Sequence, residues 1–74
     1  MDNTMDNTYD ILFLEAVMGN IEAQFSLALW YADNQEYTEA AKWCEKAAKQ
    51  GLADAQNQLG IYYANGTGVA QDLV

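Results

Sequence analysis

From Tyr9 to Met18 the chain is almost continuously apolar, interrupted by Asp10 and Glu15, and the run closes on Gly19-Asn20. Thr8 can cap a helix at its start and Gly19 can end one, so this stretch predicts a first helix. Asn20 can then cap a second helix through about Ala32, with Ala23, Leu27 and Tyr31 spaced four apart on one face. Asp33-Asn34-Gln35 breaks it. A third helix, from about Glu36 to Lys49, places Ala40, Cys44, Ala47 and Ala48 on one side and gathers Lys42, Lys46 and Lys49 in its C-terminal half, where cations suit the helix dipole. Gln50-Gly51 stops it. A fourth helix is expected from about Leu52 to Ala64, followed by the glycine-rich loop Asn65-Gly66-Thr67-Gly68. No stretch alternates with the period of a strand. Residues 1–8, Met-Asp-Asn-Thr written twice, are polar and aperiodic, and a flexible tail is expected there.

The helices are related. Sliding the chain on itself by 32 positions pairs Gly19 with Gly51, Ala23 with Ala55, Gln24 with Gln56, Leu27 with Leu59, Tyr31 with Tyr63 and Ala32 with Ala64. Ala28 meets Gly60 in the same register, as a close helix crossing would demand. A period in this range is the signature of stacked helix pairs that bury their apolar faces only against their neighbours. The expected fold is therefore all-α, a short α-α superhelix of antiparallel helix pairs with about four helices. Residues 9–19 read as a capping or leftover second helix, 20–51 as one repeat and 52–74 as the first half of the next.

Composition narrows the chemistry. The 74 residues contain 51% hydrophobic side chains and no Pro, which excludes disordered and collagen-like chains. There is one Cys and no His, so neither an internal disulfide, a Cys/His zinc site nor a Cys/His nucleophile can be assembled. No metal and no cofactor is expected. Cys44 reads as a small core side chain. The net charge is −8, and residues 1–36 hold Asp2, Asp6, Asp10, Glu15, Glu22, Asp33 and Glu36 without a single base. Such a surface repels phosphate, so nucleic acid and membrane are not expected partners, and a protein or peptide with basic and apolar groups is. The first basic residue is Lys42 and the longest apolar run is short, so no signal peptide or transmembrane segment is visible and a cytoplasmic location is expected.

Ala55-x-x-x-Leu59-Gly60-x-x-Tyr63-x-x-Gly66-x-Gly68-Val69-x-x-Asp72 resembles the first half of a Sel1-like repeat, and Ala40-x-x-Trp43-x-x-x-Ala47-Ala48-x-x-Gly51 resembles the second half of the one before it. The resemblance covers about residues 20–74, and the first helix resembles a leftover second helix through Ala16 and Gly19. Between Tyr31 and Ala40 the Gly-x-Gly-Val loop is absent, and that unit is also similar to a tetratricopeptide repeat. Both families share the physics of stacked helix pairs. The glycines at 66 and 68 are expected to serve a turn with positive φ; neither a strand before them nor a Lys-Ser/Thr after them favours a phosphate cradle.

By that resemblance, the first helix of each unit lines a concave surface. Glu22, Phe25, Leu29 and Asp33, with their register mates Asp54, Asn57, Ile61 and Asn65, are then the candidate partner-binding face, apolar at its centre and acidic at its ends. Phe25, Leu29 and Ile61 read equally well as core; Trp30 and Tyr62 read as core first. Where the chain ends, Leu59, Tyr62 and Tyr63 are expected to face water and to form a self-association seam. Three functions follow: a non-catalytic protein-interaction module on the concave face, a structural piece that pairs as a homodimer or exchanges helices through that seam, and an enzyme. The last rests on the association of some cysteine-rich Sel1-like proteins with β-lactam binding or hydrolysis, against which the single Cys argues.

Overall fold

The computed structural model describes residues 4–67, and within them the chain forms four α-helices and no strand: α1 Thr4–Val17, α2 Ile21–Asp33, α3 Tyr37–Lys49 and α4 Ala53–Asn65. Each helix packs on the next in the order α1, α2, α3, α4, joined by tight turns, so the chain advances as a row of antiparallel hairpins. Gly68 and the rest of the expected Gly-x-Gly-Val loop lie outside the described residues.

The helix ends follow from local chemistry. Asn20 caps α2, its side-chain oxygen accepting from the backbone N–H of Ala23 at 2.9 Å. Gly19, Gly51 and Gly66 turn the chain with φ of 102°, 99° and 69°, a region closed to most side chains. Gln35 does the same work after α2 at φ 62°, although it carries a Cβ. The first helix is longer than expected. It begins at Thr4 rather than Tyr9, so part of the stretch expected as a tail is helical. Residues 4–8 include no Gly or Pro, and once a helix is nucleated by the packed segment behind them, each further turn costs little.

Small side chains make the core. One cluster joins Ala28, Ala40, Ala41, Cys44, Ala47, Ala48, Ala55 and Tyr62 across α2, α3 and α4; the other joins Ala16, Ala23 and Leu27 across α1 and α2. With so many alanines at the contacts, the helix axes can come close, and partly buried Tyr9, Leu12, Tyr31 and Trp43 close the second cluster from the sides. Gly60 departs from expectation. It is exposed, and a Cβ added there would meet nothing within 4 Å, so no helix crosses it, whereas its mate Ala28 is buried. The face of α2 at Ala28 is covered by α3; the matching face of α4 has no third helix beside it among the described residues.

The 32-residue period is written in bonds as well as in residue types. Gln24 donates its side-chain N–H to the carbonyl of Ala16 at 3.0 Å, and Gln56 donates to the carbonyl of Ala48 at 3.1 Å. In both cases a glutamine on the first turn of one helix satisfies a carbonyl near the end of the helix before it, where the last turn leaves acceptors without intrahelical donors. Gln24 is buried, and its own oxygen accepts from the Gln50 side chain at 2.7 Å. The two joints therefore set α2 on α1 and α4 on α3 in the same way.

Candidate functional site

The equivalent joints carry equivalent surfaces. Leu29 of α2 and Ile61 of α4, one period apart, are 43% and 44% exposed. Glu22, Asp33, Asp54, Asn57 and Asn65 are exposed as well. Phe25 differs: it is half-buried and packed against the larger core cluster, so it contributes an edge to the face while its ring anchors α2. Glu22 and Asp54 sit in the first turns of their helices, where a negative charge also complements the helix dipole. The acidic ends of the face thus have a structural use beside any role in recognition.

The expected seam is arranged otherwise. Tyr62 is 6% exposed and belongs to the core, Leu59 is half-buried against it, and Tyr63 is exposed. Tyr62 does not face water because α4 turns it inward toward Cys44 and Ala55, leaving Tyr63 to point outward. Burial raises the pKa of the Tyr62 hydroxyl, and the neighbouring Cys44 adds to the rise.

Two features escaped the residue pattern. The first is a chain of rings over α1, α2 and α3: Tyr9 lies 4.6 Å from Trp30, Phe13 lies 6.0 Å edge-on from Trp43, and Lys46 sits 5.7 Å above Trp43. Tyr9 and Tyr31 share a hydroxyl–hydroxyl bond of 2.8 Å in which either can donate. That bond first, then burial and nearby negative charge, pushes Tyr31 up to about 12 from its usual 10.0. A phenol held neutral in this way favours the folded state up to the pH where a free tyrosine ionises, and the contribution is lost as pH climbs from about 10 to about 12. The melting temperature is expected to fall across that window, and Tyr9→Phe should flatten the fall; an unchanged profile in thermal unfolding of Tyr9→Phe would show that the pair does not set it. The second feature is the outer side of α1 and the turn that follows it, where Ile11, Leu14, Val17 and Met18 are all at least 56% exposed.

Cys44 is fully buried, its Sγ–H donates to the carbonyl of Ala55 at 3.2 Å, and burial raises its pKa, away from the reactive thiolate. Among the described residues no group of three His, Cys, Asp or Glu side chains comes together to hold a metal ion, and no helix is long and apolar enough to cross a membrane.

No protein-family model matches the chain, and no solved structure matches it. Over 66 residues it is 38% identical to the chitin synthase regulator SKT5 of Malassezia restricta, an alignment that takes in 81% of this chain and 5% of that protein. The chain thus spans about 5% of the length of this curated relative, and is similar there to a short part of a regulator.

Proposed function

We propose that this chain is a non-catalytic protein-binding module of the Sel1-like and tetratricopeptide kind, an adaptor surface that holds a peptide or protein segment along the exposed face of α2 and α4. The observation that carries the reading is the equal exposure of Leu29 and Ile61, 43% and 44%, at positions one period apart. A surface that repeats apolar anchors at the spacing of its own units, with Glu22, Asp33 and Asp54 around them, suits an extended or helical segment with apolar side chains and Lys or Arg flanks. The similarity to a protein named as a regulator supports a role exerted through another protein. The buried, hydrogen-bonded Cys44 and the lack of any His support a reading without catalysis.

The test separates binding from folding. Leu29→Ser with Ile61→Ser is expected to leave helicity by circular dichroism unchanged, because neither side chain belongs to the buried core clusters, and to weaken capture of apolar, lysine-rich peptides from an immobilised peptide array by about tenfold. Unaltered capture with intact helicity would remove the α2–α4 face as the binding site.

A further inference from the structure

We propose that the outer face formed by α1 and α3 is a pairing surface for a second copy of this chain, with α1 of each copy seated on α3 of the other. Of the nine large hydrophobic side chains exposed among the described residues, four lie on α1 and a fifth, Met18, follows it directly. A helix that is apolar on its outer side as well as its inner side is expected to be covered on both. What covers it is indicated by the equivalent helix of the same molecule. Asp10, Leu14 and Val17 are one period from Lys42, Lys46 and Lys49, so the same outward stripe is acidic and apolar on α1 and basic on α3.

The α3 stripe has the shape to receive the α1 stripe. Lys42, Glu45, Lys46 and Lys49 surround a shallow recess of about 240 Å³ on the outer side of α3. Residues at i, i+3, i+4 and i+7 are the four that make the hole for an inserted side chain when two helices pack side by side. Leu14, 60% exposed, is a knob without a hole among the described residues. The lysine stems can cover apolar surface while their ammonium groups stay in water. Two of these lysines spend their charge on weak, exposed partners of their own helix, Lys42 with Glu39 at 3.6 Å and Lys49 with Glu45 at 3.4 Å, which exchange at little cost.

A two-fold axis running between α1 and α3, parallel to both, lays α1 of one copy along α3 of the other with register mates at the same height. Leu14 then enters the recess, Asp10 approaches Lys42 and Val17 lies by Lys49, and the symmetry makes each contact twice. Two chains of charge −8 repel at long range, but at physiological ionic strength that field is screened within about 8 Å, and the opposed stripes meet closer than that.

Sedimentation velocity on the full chain, from low to high micromolar concentration, tests the pairing. The wild type is expected to shift reversibly from the monomer mass of 8.2 kDa to twice that mass. Leu14→Asn should remain a helical monomer throughout. A chain with Lys42→Glu, Lys46→Glu and Lys49→Glu, and another with Asp10→Lys and Val17→Lys, should each be monomeric alone and form a heterodimer when mixed, since only the mixture opposes unlike stripes at both contacts. A wild type that stays monomeric, a dimer that survives either set of charge reversals, or assemblies larger than two would each overturn the proposal, the last two by showing that copies meet elsewhere.

Discussion

Leu27→Ala is expected to lower stability by about 2–5 kcal/mol, a large part of what a chain this short possesses. Leu27 is fully inaccessible, and it shares with Cys44 the place of largest fully buried side chain among the described residues. It lies where α1, α2 and α3 converge, against Ala16 and Ala23 with Tyr9, Leu12, Tyr31 and Trp43 around it. Ala16 and Ala23 cannot fill the space left behind, so the place of the loss within that range is set by how far Tyr9, Leu12, Tyr31 and Trp43 close in. Leu59, its mate one period on, is only half-buried, and Leu59→Ala should cost clearly less. Urea unfolding followed by circular dichroism reads both as midpoint shifts at constant slope. Equal losses at the two positions would mean that the core is distributed evenly along the row, contrary to the packing described.

Tyr62→Ala is expected to cost about 3–5 kcal/mol, while Tyr63→Ala, one residue away, should change stability by about 0.5 kcal/mol or less. The difference follows from orientation: the Tyr62 ring is packed with Cys44 and Ala55, and the Tyr63 ring is 39% exposed. The same denaturation experiment decides the matter. A Tyr62→Ala chain that kept its midpoint and lost self-association instead would restore Tyr62 to a surface seam.

Much of this arrangement is legible in the residues. Asn20 announces the start of α2, the glycines at 19, 51 and 66 announce the turns, and the small residues of α3 announce a face packed on both sides. These signals are local, and local chemistry decides them. The 32-residue register also predicts which residues are equivalent, yet equivalence of position is not equivalence of surroundings. Leu27 is buried because α1 and α3 flank it, whereas among the described residues Leu59 has α3 on one side only. Ala28 is covered by α3 and Gly60 by no other described residue, for the same reason. The candidate face is legible as a set of mates, but its split into exposed Leu29 and Ile61 and half-buried Phe25 depends on how far α2 rolls toward α3. The apolar outer side of α1 was concealed by abundance: when nearly every position from Ile11 to Met18 is apolar, no periodicity marks which side faces inward.

The paired glutamine bonds have a consequence for how such a protein can change length. Gln24 on the Ala16 carbonyl and Gln56 on the Ala48 carbonyl are the same joint made twice, each straddling the bend at Gly19 or Gly51. A copy of residues 20–51 spliced in after Gly51 would arrive with its own glutamine to meet the Ala48 carbonyl in front and its own alanine carbonyl to offer Gln56 behind. Growth by duplication then requires no new joint to be invented, and the number of units becomes a variable that gene-level accidents can adjust without redesigning the parts.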